Sequence, residues 1–175
     1  QSSGIGSSAS GYLIGSNTHL LASGDASVVH GQIAGANGVI EATDIAAMAY
    51  GEITGNASSA KICATNSGAT AYGHITSNAG KIISKGKGAT ASGFVQGNNG
   101  LIQASAPGSH AEGTIGNSTG NVKILAQNNA SYARGEVKSS NAIVMASGIA
   151  ATAIGYADQI NSNIIACGAA STAVG

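Results

Sequence analysis

The segment GATAYGHI at residues 68–75 decides the fold of this chain, because close variants of it return along the sequence. GATASGFV follows at 88–95 and GSHAEGTI at 108–115. Each segment places small residues and one aliphatic residue at alternate positions. Since successive side chains of a β-strand point to opposite faces, this alternation predicts a strand with a small-residue inner face.

The glycine of the Ala-x-Gly pattern marks a repeat of 20 to 22 residues. It recurs at Gly11, Gly31, Gly51, Gly73, Gly93, Gly113, Gly135, Gly155 and Gly175. A second column of aliphatic residues precedes each next glycine by eleven positions: Leu20, Ile40, Ile62, Ile82, Ile102, Ile124, Val144 and Ile164. The segments between the two columns are rich in Gly, Asn and Ser, which is typical of tight turns. Each repeat is therefore predicted to form strand, turn, strand, turn. A helix is excluded because glycine recurs too often and the apolar period is two.

Stacking these units predicts an all-β fold, a parallel β-solenoid or β-roll of about eight coils. Each coil has 20–22 residues and two short strands. The inward positions predict a narrow core of Ala, Gly and Ile. We expect residues 1–175 to form a single repeat domain.

The charge content argues against several classes of partner. Only 8% of the residues are charged and the net charge is +0, so no basic patch for nucleic acid or an anionic membrane is expected. The sequence has no apolar run long enough to insert into a membrane.

The sequence offers few residues for catalysis. Its seven acidic residues do not repeat at matching positions, and its His and Cys residues lack zinc-site spacing. The glycine-rich turns lack the lysine and the strand-to-helix context of a phosphate-binding loop. We therefore expect no catalytic residues, no cofactor and no metal, and predict that the chain is not an enzyme.

Four segments carry a family resemblance: ATAYG (69–73), ATASG (89–93), ATAIG (151–155) and STAVG (171–175). They resemble the head repeats of YadA-like trimeric autotransporter adhesins. This resemblance implies a left-handed parallel β-roll, three copies of which pack into an adhesin at the cell surface. The coil of 20–22 residues is longer than the coil of that family.

All aromatic residues fall on outward positions of the Ala-x-Gly strand, which are one before, one after or three before the glycine. They are Tyr12, Tyr50, Tyr72, Phe94, Tyr132 and Tyr156. Tyrosine is enriched at interfaces, so this exposed aromatic face is a candidate contact surface. The alternative is that Tyr occupies these positions because of its β-propensity alone.

An outward column on the second strand is mostly apolar. Its interface candidates are Leu21, Cys63, Ile83, Leu125, Met145 and Ile165. Contiguous apolar stripes usually mark interfaces, so we expect another chain to pack here. The alternative is that these residues lie inside the coil. Cys63 and Cys167 are also predicted to face outward. They lie about five coils, or ~24 Å, apart, so a disulfide could join only different molecules.

These patterns favour a non-enzymatic, extracellular or cell-surface structural or adhesive solenoid. We expect it to associate with itself into a fibre or a trimeric head, because neither end of the chain carries a polar cap. Host or matrix glycans and proteins are further expected partners.

Two other functions remain open from the sequence. One is a glycan-binding module that uses the tyrosine face. The other is an ice-binding solenoid, for which the best column contains Thr70, Thr90, Thr152 and Thr172 but is interrupted by His110 and Tyr132. Asn-x-Ser/Thr triplets make Asn56, Asn117 and Asn129 candidate glycosylation sites.

Overall fold

The computed structural model describes residues 1–54, 59–116 and 119–175, which form an all-β parallel solenoid of about eight turns. The nine-stranded sheet contains β1 (Ser8–Ile14), β3 (Val28–Ala34), β5 (Met48–Thr54), β7 (Thr70–Ile75), β9 (Thr90–Val95), β11 (His110–Ile115), β13 (Tyr132–Val137), β15 (Thr152–Ala157) and β17 (Thr172–Val174). The eight-stranded sheet contains β2 (His19–Ala22), β4 (Val39–Ala42), β6 (Lys61–Ala64), β8 (Lys81–Ser84), β10 (Leu101–Ala104), β12 (Lys123–Ala126), β14 (Ile143–Ala146) and β16 (Asn163–Ala166). Two strands per coil were predicted, and the prediction is confirmed.

None of the described residues belongs to a helix of the length and hydrophobicity that membrane crossing requires.

Each strand pairs in parallel with the corresponding strand of the next coil. The anchor glycines stay opposite one another, as Gly73 pairs with Gly93. The register also holds across a 22-residue step, where Gly51 pairs with Gly73. The two additional residues of such a coil are therefore accommodated outside the paired strands.

The core lies between the inner faces of the two sheets. Ala71, Ile75 and Ile82 have no solvent-exposed surface. The anchor glycine makes room for the facing aliphatic side chain, because a Cβ on Gly73 would lie 2.7 Å from Cδ1 of Ile82. The predicted narrow core of Ala, Gly and Ile is thus confirmed, and its thickness is limited by this glycine.

A further inward column, which the sequence pattern did not reveal, lies in the turn after the eight-stranded sheet. Its members are small and buried: Ser27, Ala47, Ala69, Ala89, Ser109, Ser131 and Ala151. In this turn the backbone reverses direction at the end of the core, so only a small side chain fits at the inward position.

The residue before this column has a left-handed backbone conformation. Glycine occupies it at Gly68 and Gly88, with φ of 69° and 63°. Alanine occupies it at Ala46 and Ala150, with φ of 55° and 53°. Because alanine in this conformation costs about 1–2 kcal/mol, these turns are strained.

Ala46→Gly should therefore raise the free energy of unfolding, by up to about 1 kcal/mol, after the entropic cost of glycine is subtracted. Urea denaturation followed by circular dichroism measures the change. Ala71→Gly is the matched control, because Ala71 is buried in a strand. That variant should lose about 1–2 kcal/mol, the sum of a buried methyl and the entropy of glycine. A loss of stability in both variants would contradict the assignment of strain.

Candidate functional site

The outer face of the nine-stranded sheet carries a groove over the anchor glycines. One void of about 430 Å³ lies above Gly93, Gly113 and Gly135. Another of about 390 Å³ lies above Gly11, Gly31 and Gly51. We call the surface over this glycine column, from Gly11 to Gly135, the glycine groove. Its floor is the backbone of the anchor glycines of three consecutive coils in each void, and its walls are the outward residues on either side of each glycine.

The walls of the groove combine aromatic and hydrogen-bonding side chains. The first void is lined by Tyr72, Ser92, Phe94, Glu112, Thr114 and Arg134. The other is lined by Tyr12, His30, Gln32 and Glu52. Each void is lined by both an aromatic ring and a carboxylate, since the residues on either side of the anchor glycine both point outward.

A guanidinium or imidazole group lies close to each of two carboxylates of the groove walls. Glu112 Oε2 lies 3.9 Å from Nε of Arg134 and 3.4 Å from Nε2 of His110. Glu52 Oε2 lies 4.0 Å from Nε2 of His74. These side chains are all partly exposed, so the pairs add little stability and remain available to other partners.

Ser92 is a buried hydroxyl on the wall of the first void. It is 2% exposed, and its Oγ has no hydrogen-bond partner among the residues that the structure describes. Its neighbours in the adjacent coils are Tyr72 and Glu112, whose larger side chains flank it. Burying a hydroxyl without a hydrogen-bond partner raises the free energy of the folded state by about 1–3 kcal/mol. A ligand that formed a hydrogen bond with Ser92 would remove this penalty.

All six predicted aromatic residues lie on the outer face of this sheet. Tyr12, Tyr72 and Tyr156 are exposed, whereas Tyr50, Phe94 and Tyr132 are half-buried. Phe94 meets the ring of His74 edge-on at 5.3 Å, and Tyr132 lies 5.2 Å from the ring of His110. The aromatic residues are thus spread along the outer face of this sheet rather than gathered in one cluster, and their role as a contact surface stays a prediction.

The predicted apolar stripe lies on the outer face of the eight-stranded sheet, but most of it is covered. Cys63, Ile83 and Leu125 are 4%, 9% and 7% exposed in the single chain. Leu21 and Met145 are half-buried, and only Ile165 is exposed. Side chains stacked at the strand spacing of about 4.8 Å cover one another, which outward direction alone does not reveal. The column is therefore not continuously accessible in the single chain, and its role as an interface stays a prediction.

The two cysteines have different environments. Cys63 is buried, with Sγ 3.3 Å from Oγ1 of Thr65, whereas Cys167 is exposed and follows β16. Burial raises the pKa of the Cys63 thiol above its ordinary value. Nearby, Lys61 Nζ lies 2.7 Å from Oε2 of Glu41. Burial acts to lower the pKa of Lys61, but the hydrogen bond to Glu41, with smaller effects of Cys63, leaves that pKa raised.

Cys167 should react with iodoacetamide at least about tenfold faster than Cys63 at pH 8, because only the accessible thiolate is a nucleophile. Mass spectrometry of peptides from the native protein, sampled over time, measures both rates. In urea the two rates should converge. Equal rates in the native protein would contradict the burial of Cys63.

The predicted threonine column and the glycosylation candidates receive little support from the structure. The threonine column is interrupted by the His110 and Tyr132 rings, so its outer surface is not a uniform row of hydroxyl and methyl groups. Asn129 is exposed in a turn, which leaves its glycosylation a prediction. Asn56 and Asn117 lie outside the described residues. Within the described ranges, no three His, Cys, Asp or Glu residues are grouped to hold a metal ion.

No protein-family model, curated protein or solved structure matches this chain. The geometry assigns a β-solenoid with coils of about 20 residues, and it assigns no family.

Proposed function

We propose that this chain is a non-enzymatic adhesive and structural module that acts outside the cell. Its rod would hold the glycine groove in a fixed shape and present it to a ligand. The resemblance of the Ala-x-Gly repeats to adhesin head repeats supports the same function.

The observation that carries this proposal is the glycine groove itself. Its two voids lie over one column of glycines, and both combine an aromatic ring with a carboxylate. Each void has the size of a ligand site but is a depression open to solvent, which suits attachment to a chain or surface. Parallel pairing between coils fixes the spacing of the wall residues.

Retention of protein-coated beads under flow tests adhesion. Beads carrying the purified chain should adhere to surfaces coated with extracellular polysaccharide or matrix protein more strongly than albumin-coated beads. Tyr72→Ala combined with Phe94→Ala should reduce retention. A control that combines Lys81→Ala with Lys123→Ala, on the other sheet, should not. Retention equal to that of albumin on all surfaces would overturn the proposal.

A second proposed activity is self-association, favoured by the part of the apolar stripe that stays accessible. Ile165 is 41% exposed, and Leu21 and Met145 are half-buried. Contact between copies would cover these side chains. Sedimentation velocity over a hundredfold range of concentration should show mass increasing, and Ile165→Asp should weaken the increase. A constant monomer mass throughout would exclude it.

A further inference from the structure

We propose that the glycine groove binds an uncharged, extended glycan chain, with its principal subsite between Tyr72 and Arg134. This inference rests on the proposed adhesive function and names its ligand class.

The length of the groove favours a chain over a small molecule. Its two voids lie over the first three glycines of the column and over Gly93, Gly113 and Gly135. From Gly11 to Gly135 the sheet advances six coils, or about 29 Å at the strand spacing. Only an extended polymer could contact both voids at once.

The chemistry of the first void fits a sugar ring. A pyranose has an apolar face of C–H groups and a rim of hydroxyls. Tyr72 is 45% exposed and offers a ring for the apolar face. Thr114, Glu112 and Arg134 stand around the same void and offer hydrogen-bond groups for the rim.

Ser92 supplies an independent observation that points to a ligand. Ser92 lines the void, and its buried hydroxyl has no partner among the described residues. A sugar hydroxyl seated between Tyr72 and Glu112 would give this group the hydrogen bond that the free protein lacks. A glycan can do so because each of its hydroxyls both donates and accepts.

The charges of the groove favour an uncharged ligand with donors. At the first void the Glu112 carboxylate lies 3.9 Å from the Arg134 guanidinium, so neither an anion nor a cation meets an unpaired charge there. A polyproline segment would fit an aromatic groove, but it offers carbonyl acceptors and no N–H donors. It would add no donor to those that His110 and Arg134 already offer Glu112, whereas sugar hydroxyls would add donors.

Isothermal titration of the full chain tests the inference with cellohexaose, chitohexaose and mannohexaose as probes and a proline decapeptide as the rival ligand. At least one hexasaccharide should bind. Tyr72→Ala should weaken that binding at least tenfold, and Ser92→Ala should weaken it several-fold. Tyr132→Ala is the matched control, because Tyr132 lies on the same sheet but does not line the void. It should change binding less than twofold.

Circular dichroism and thermal melting of each variant separate lost binding from lost folding. A variant that unfolds at a lower temperature than the wild type is replaced by Glu112→Gln, which alters a partly exposed side chain. Glu112→Gln should weaken glycan binding by the same factor of about ten. Absence of binding by all three hexasaccharides overturns the glycan assignment, as does equal weakening by Tyr132→Ala. Binding of the proline peptide alone overturns it too but leaves the adhesive function standing. Bead retention at the level of albumin removes the adhesive function as well.

Discussion

Gly73→Ala is expected to lower the free energy of unfolding by about 4 kcal/mol or more, which is at the high end for one methyl group. An added Cβ at this position would lie 2.0 Å from the carbonyl oxygen of Gly93 and 2.7 Å from Cδ1 of Ile82. The carbonyl belongs to the neighbouring strand and cannot move without breaking the ladder. The φ of Gly73, +149°, is also unfavourable for a side chain. The coil would have to open locally to accept the methyl.

Gly88→Ala provides the control for that result. Gly88 has φ of +63°, but a Cβ there would meet no atom within 4 Å. The loss should be only about 1–2 kcal/mol, from backbone conformation alone. Urea denaturation followed by circular dichroism measures both variants, with soluble yield recorded if Gly73→Ala does not fold. Similar losses in the two variants would show that the close approach of the coils does not limit the residue at position 73.

Ile82→Ala should destabilise the protein by about 2–5 kcal/mol. Ile82 has no exposed surface and reaches across the core toward Gly73. Truncation removes its transfer free energy and leaves a cavity. Neighbouring coils hold the backbone on both sides, so the cavity cannot collapse fully.

Ile149→Ala makes the same chemical change where the side chain is 55% exposed. It should cost less than about 0.5 kcal/mol, as surface substitutions usually do. Thermal unfolding of both variants and of the wild type gives the comparison. A small effect of Ile82→Ala would mean that the narrow core tolerates a cavity, which would contradict the tight packing of Ile82 against Gly73.

The candidate site was only partly predictable. The aromatic residues and their outward direction follow from the alternation around each anchor glycine. The two voids do not, because they depend on how the wall side chains of several successive coils are placed around them. Ser92 gave no signal in the sequence, since serine is common throughout this chain. Its importance comes from the Tyr72 and Glu112 side chains of the adjacent coils, which lie 20 residues away on either side.

Sequence reasoning alone was sufficient to assign the coil, its two strands, the parallel register and the inward residues. A constant step between anchor glycines permits few alignments of neighbouring coils, and a period of two assigns each side chain to a face. Only the tertiary structure decided which outward residues are accessible, where alanine adopts a left-handed conformation and where the groove lies. Cys63 illustrates the difference: its direction is set by its position in the strand, but its burial is set by neighbours that other coils bring to it. Direction is a local property of the chain, whereas accessibility and hydrogen-bond partners depend on residues about 20 positions away.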